Sequence, residues 1–270
     1  MAKAAIYSLT VLLAVIFVIP LVWMFVVSFK PEGVSAITIS EWVDFSNLTL
    51  QNYKKVLTES QILRWTYNSV IIGAITTIIT VLISSLAAFA FSRKTFKTKG
   101  FWFILCASGL LIPTEAMLIP LYETVLSLDL LDSKWGIILP SLTNPLGLIL
   151  IMQFMNGLPK DYMEAAQIDG CKDLQLWWSI YMPLTRSAMI SIGIFYFIMS
   201  WNNFIWPYIA INSEHNMVLA TGLPTFLANN VLHVNTIMTA SAIAAIPTMI
   251  VYVLLQKHIV QGVSMTGVKG

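Results

Sequence analysis

Residues 6–29, IYSLTVLLAVIFVIPLVWMFVVSF, contain no Asp, Glu, Lys or Arg, and neither do residues 67–92, YNSVIIGAITTIITVLISSLAAFAFS. A helix of about 20 apolar residues crosses the ~30 Å hydrocarbon layer of a bilayer, so both stretches are long enough to span it. Phe101–Thr114, Trp135–Pro159 and Ser187–Ser213 are charge-free as well. Inside hydrocarbon, only helices and closed barrels satisfy every backbone donor and acceptor. Barrel strands alternate apolar and polar residues over ~10 positions, and these stretches neither alternate nor stop so soon. The expected fold is therefore all-α, a polytopic membrane bundle of six helices in one domain spanning residues 1–270. The spans fall at about 6–29, 67–92, 101–122, 135–156, 187–211 and 238–257.

Composition agrees. Of the 270 residues, 57% are hydrophobic and only 10% charged, whereas a soluble domain carries about a quarter charged residues to face water. A net charge of +2, with no basic run interleaved with aromatics, gives no reason to expect nucleic acid. Cys106 and Cys171 have neither a disulfide framework nor metal-site spacing. The apolar run at the N-terminus outlasts the ~7–15 residues of a signal core, so it reads as a retained helix.

Lys and Arg concentrate on the cytoplasmic side of membrane proteins. The short loop after the second span holds Arg93, Lys94, Lys97 and Lys99 and no acid. Placing that loop inside puts both termini in the cytoplasm. Proline occurs in most spans, at Pro20, Pro113, Pro120, Pro140, Pro145, Pro207 and Pro247, and each is expected to kink its helix.

The segment 158–186, between the fourth and fifth spans, is then cytoplasmic. In it Asp161 can cap a short helix, and Gly170 is placed to end that helix in a left-handed conformation. A second helix with Asp173 near its start puts Leu174, Trp177, Trp178 and Tyr181 on one apolar stripe, until Pro183 stops it. By physics alone this is either an interfacial anchor or a docking knob in which the small Ala165–Ala166 pair allows close contact.

The pattern Glu164-Ala165-Ala166, then Gly170, then Ile180-Tyr181-Met182-Pro183 resembles the Glu-Ala-Ala signature of bacterial ATP-binding-cassette importer permeases. Met182 stands where that family usually has Leu. The residues Pro113–Tyr122 look like its third span. Ser200-Trp201-Asn202-Asn203-Phe204-Ile205-Trp206-Pro207 is similar to a span-five motif of the carbohydrate-type permeases, with Asn203 in place of an expected Asp. The tail ending Gly267-Val268-Lys269-Gly270 is similar to that of the maltose-permease branch. The resemblance implies the shorter, six-span subunit of a carbohydrate importer in the bacterial inner membrane. It implies a homologous second permease, two cytoplasmic ATPase subunits and an extracytoplasmic sugar-binding protein as partners. Glu164, Ala165, Ala166, Asp169 and Gly170 would then form the coupling loop, and the tail would also reach the ATPase. ATP and Mg would be bound by the partner subunits and no cofactor by this chain.

The residues themselves fit that division of labour. The sequence has no G-x-x-x-x-G-K-[ST] phosphate loop, no Gly-x-Ser-x-Gly, no His-Glu-x-x-His, and His215, His233 and His258 are scattered. The chain is not expected to be an enzyme. Aromatic rings and amides suit a sugar, and span five offers Tyr196, Trp201, Asn202, Asn203 and Trp206, with Asn202 and Trp206 on one face at i, i+4. The same residues would serve as an interfacial aromatic belt. Glu115 is the one ionisable residue well inside a span, which calls for a polar cavity or a partner, and Asn144 is a weaker pathway candidate. A stand-alone ion-coupled carrier would need more intramembrane carboxylates or internal repeats, and a lipid-acting enzyme would need a catalytic cluster in the spans.

Overall fold

Where a chain must bury or shield every peptide group, helices are the local solution, and among the described residues all regular structure is helical. The computed structural model describes residues 2–34, 38–229 and 233–266. In chain order the helices are α1 (Ala2–Ser28), α2 (Ile39–Val43), α3 (Gln51–Glu59), α4 (Ile62–Arg93), α5 (Lys99–Ser108), α6 (Leu118–Ser127), α7 (Lys134–Ser141) and α8 (Pro145–Asn156). Then come α9 (Asp161–Ile168), α10 (Asp173–Leu176), α11 (Met182–Leu184), α12 (Arg186–Trp201), α13 (Ile205–Ala210), α14 (Leu219–Asn229) and α15 (Val234–Thr266). The tail residues Gly267, Val268, Lys269 and Gly270 lie outside the described residues.

The chain forms two compact units, one from residues 1–67 and 217–251 and the other from 68–216 and 252–270. In the first, α1 rises 1.5 Å per residue to about 40 Å, long enough to cross a bilayer. It is apolar all round, and most of its side chains are exposed. Its C-terminal carbonyls, which have no intrahelical partner, are met by two buried amides. Asn52 of α3 donates to the carbonyls of Ser28 (3.1 Å) and Lys30 (2.7 Å). Asn235 of α15 donates to those of Val27 (3.1 Å), Lys30 (3.3 Å) and Val34 (3.0 Å), and accepts from the Gly33 N–H. Thr239, one turn on, donates to Ser28 O at 3.1 Å. Nearby, Glu32 pairs with His233 (2.8 Å) and Lys55 (3.6 Å).

The second unit holds three bends. Lys99–Leu111 meets Thr114–Ser127 at 100°, Lys134–Ser141 meets Pro145–Asn156 at 46°, and Asp173–Leu184 meets Arg186–Trp201 at 80°. The single kinked spans expected at 101–122 and 135–156 are instead bent pairs of separate helices, and the one expected at 187–211 ends at Trp201 before α13 begins. Proline position accounts for this. The first turn of a helix needs no N–H partners, so proline is accepted there. Pro145 and Pro207 sit in first turns, of α8 and α13, and Pro113 is the N-cap of the 3₁₀ turn Thr114–Met117 at the 100° bend. These prolines start new helices, whereas Pro20 and Pro247 sit inside continuous ones.

The core of this unit gathers Ala88 and Phe89 of α4, Leu148, Ile151 and Met155 of α8, Ala166 of α9, Leu176, Trp177 and Tyr181, and Ile192 and Tyr196 of α12. α4 packs closely on α12 at Gly73, where a Cβ would lie 3.0 Å from the Phe197 ring, tighter than an ordinary contact, whereas a Cβ on Gly193 would meet Thr77 Cγ2 at an ordinary 3.4 Å.

Candidate functional site

The loop 158–186 is built from a helix too short to stand alone. α9 follows Pro159, with Asp161 in its first turn; Lys160 holds the N-cap position that Asp161 was expected to fill. At its other end Gly170 adopts φ +79°. Cys171 N–H donates to Ala166 O at 2.9 Å and Gly170 N–H to Gln167 O at 3.0 Å. This pair of bonds is the Schellman closure, and the left-handed residue it needs is glycine.

The two alanines divide the helix. Ala166 is buried in the core of the unit, while Ala165 faces outward with Glu164 and Asp169. Ala165 also lines a groove formed with Asp161, Tyr162, Asp169, Ser179, Ile180, Pro183 and Leu184. The exposed face of α9 and its C-cap thus offer three carboxylates, Asp161, Glu164 and Asp169, beside a shallow groove, on a helix whose other face is anchored.

The expected stripe of Leu174, Trp177, Trp178 and Tyr181 does not form as one face. Trp177–Tyr181 is a π-helical turn, which adds a residue to the local repeat and rotates everything after it. Tyr181 (0% exposed) and Trp177 (8%) turn into the core with Leu176, whereas Leu174 (64%) and Trp178 (60%) stay outside. Nor does Pro183 end the helix there. The helical path runs on to Leu184 and bends at Thr185, whose N–H and Oγ1 both donate to Tyr181 O, at 2.9 and 2.7 Å.

The pathway candidates separate. Tyr196 is buried and its hydroxyl donates to the carbonyl of Asn144 at 3.3 Å. Asn144 itself caps α8, accepting from Leu146 N–H at 3.0 Å. Trp201 is buried and stacks on Phe197 at 5.9 Å between ring centroids. Trp206 is buried with its indole N–H on Gly136 O at 3.0 Å. Asn202 is exposed, and its side chain donates back to Ile198 O at 2.9 Å; Asn203 is half-buried between the helices. Because α12 stops at Trp201, Asn202 and Trp206 do not share a helix face. Glu115 is exposed on a 3₁₀ turn, Thr114–Met117, in the break after Pro113 rather than midway along a continuous span. Among the described residues no group of three or more His, Cys, Asp or Glu is placed to hold a metal.

Two features escaped the sequence reading. Arg93, at the end of α4, donates through one guanidinium nitrogen to the carbonyls of Met155 and Leu158, the latter at 2.8 Å. Its guanidinium carbon lies 5.0 Å from the Tyr181 ring centroid. Beside it, Lys94 pairs with Asp173. The second feature is Asp132, in left-handed backbone at φ 57° between α6 and α7. Its carboxylate accepts from Asn212 N–H (3.1 Å), Ser213 N–H (2.9 Å) and the Ser213 hydroxyl. Burial raises its pKa, but these bonds outweigh burial and hold it below the usual 3.8.

Two helices are long and apolar enough to cross a bilayer, and three bent pairs would bring the number to five, with the acid-faced α9 between the second and third pairs. The chain belongs to the family described as the binding-protein-dependent transport system inner membrane component, which matches residues 80–265. It is similar to the arabinooligosaccharides transport system permease protein AraQ of Halalkalibacterium halodurans, at 32% identity over 96% of this chain and 93% of the relative. The trehalose/maltose transport system permease protein MalG of Thermococcus litoralis is 31% identical, over 96% of this chain and 94% of the relative. The fold of this chain matches a chain of a bacterial ABC transporter involved in the import of the acidic polysaccharide alginate, with TM-score 0.83, 21% identity, and 94% and 95% of the two chains covered. The protein is a multi-pass permease component of an ABC importer.

Proposed function

We propose that the chain translocates a carbohydrate, an oligosaccharide by preference, received from an extracytoplasmic binding protein and driven by ATP hydrolysis on two partner ATPase subunits. It pairs with a homologous second permease and binds neither ATP nor Mg itself. Six spans cross the bilayer with both termini cytoplasmic: α1, α4, the two bent pairs, α12–α13, and α15. Glu164, Ala165 and Asp169 on the free face of α9 contact the ATPase, and Gly170 makes the turn that presents them. The tail Gly267–Gly270 adds a second contact. The observation that carries this reading is α9 itself, a short helix closed by a left-handed glycine, anchored by Ala166 and open on its acidic side. The sugar follows from the relatives, which are named for arabinooligosaccharide and trehalose/maltose transport.

The test is gentle detergent purification from native membranes, with mass spectrometry of what accompanies the chain. A second permease and an ATPase in near-stoichiometric amounts are expected. Recovery as a stable, monodisperse single protein would overturn the docking role and favour a stand-alone ion-coupled carrier.

A further inference from the structure

The cytoplasmic end of α4 meets three other elements in one place. Arg93 reaches the C-terminal end of α8 through the carbonyls of Met155 and Leu158. It also lies against Tyr181, the fully buried end of the π-helical turn. Tyr181 packs on Phe89 of α4, centroids 5.1 Å apart, and belongs to the same buried cluster as Ala166 of α9. A cation on the carbonyls at a helix C-terminus is favoured by the helix dipole, and the two in-plane N–H bonds of one guanidinium nitrogen can hold two acceptors at fixed geometry. The neighbouring Lys94–Asp173 pair has side chains 26% and 68% exposed, so solvent screens it and it can fix little.

We infer that Arg93 is the positioning residue that carries motion of α9 to α4 and α8. This inference rests on the docking reading of α9 given above. A load on the outer face of α9 passes through Ala166 into a core that is close-packed and therefore stiff. From there it reaches the joint 173–185, where the π-helical turn and the 80° bend at Thr185 break the regular helical path. Arg93 is the side chain that ties this joint to the ends of α4 and α8. Without the guanidinium, α9 docks as before but the ends of α4 and α8 no longer follow it.

The experiment is hydrogen–deuterium exchange on the assembled transporter, permease and ATPase subunits together, with and without ATP, magnesium and orthovanadate. In the parent complex trapping should change exchange in residues 161–170 and also in 84–93 and 145–158. If 161–170 does not respond, the docking reading itself fails, whatever Arg93 does. In Arg93→Gln the response of 161–170 should persist and that of 84–93 and 145–158 should be lost. Retention of all three responses in Arg93→Gln overturns the inference. Loss of the 161–170 response in an intact complex also overturns it, because Arg93 would then act in docking. Arg93→Lys keeps the charge but not the planar guanidinium; it should dock normally and recover less than the parent response, and it carries the test if Arg93→Gln cannot be purified. Lys94→Ala should match the parent.

Discussion

Gly170 is the residue on which the docking reading can be tested most sharply. At φ +79° an L side chain is strained, by roughly 1–2 kcal/mol and more for a β-branched residue. A Cβ built there meets nothing within 4 Å, so the cost of substitution is backbone strain alone and no core atom is displaced. At about 1.4 kcal/mol per factor of ten, Gly170→Val reduces the population of the closed turn roughly ten-fold or more. Gly170→Ala should fall short of that, and Gly170→Asn, which tolerates the left-handed region, should come nearest the parent. Because the closing bonds to Ala166 O and Gln167 O depend on this turn, α9 loses its end when the turn opens. The assay has two parts: membrane insertion by protease protection, and ATP hydrolysis by the purified complex with and without the sugar-loaded binding protein. Insertion should be unchanged while stimulation falls in the order Asn, Ala, Val. Normal stimulation in Gly170→Val would refute the reasoning, as would a ranking by side-chain size that ignored tolerance for positive φ.

Further outcomes are expected in the rest of the chain. A Cβ on Gly222 would sit 2.3 Å from the buried Trp65 ring, so Gly222→Ala should destabilise the first unit by about 1–3 kcal/mol of overpacking, read as a lower midpoint in thermal unfolding. Trp206→Phe removes the donor to Gly136 O and leaves a buried carbonyl unpaired, at a cost of about 1–3 kcal/mol; an unchanged melting temperature would contradict that. Asp132 has a folded pKa below its unfolded value. Its stabilising effect is therefore present above the unfolded pKa and is lost as pH falls through the folded one. The melting temperature of the parent should drop with acidification below pH about 4 more steeply than that of Asp132→Ala, and parallel curves would remove Asp132 from the account.

The two long apolar helices were legible because they need only one property, sustained apolarity, and α1 and α4 overlap the first two charge-free stretches. Gly170 was legible for a similar reason, since a glycine just past a short helix has few other uses. The breaks were not. A proline in a sequence looks the same whether it kinks one helix or begins the next, and Pro145 and Pro207 do the second. The stripe through Leu174, Trp177, Trp178 and Tyr181 assumed 3.6 residues per turn, and one π-helical turn was enough to part them. Arg93 was visible only as one of several positive charges, because its acceptors are backbone carbonyls some sixty residues away in sequence that no side-chain pattern announces. Asp132 was hidden in the same way, its partners lying in the loop 212–216.

The end of α1 has a consequence for how this sequence can drift. Along residues 6–22 most side chains are exposed and apolar, and one aliphatic residue serves there about as well as another. The position of the helix is instead written in Asn52, Asn235 and Thr239, which hold its last carbonyls from two other helices. Variation between related chains should therefore be nearly free along α1 and sharply restricted at three polar positions far from it in sequence. A library that randomises both sets and selects for membrane insertion followed by assembly would show the body of the helix scrambled and its address preserved.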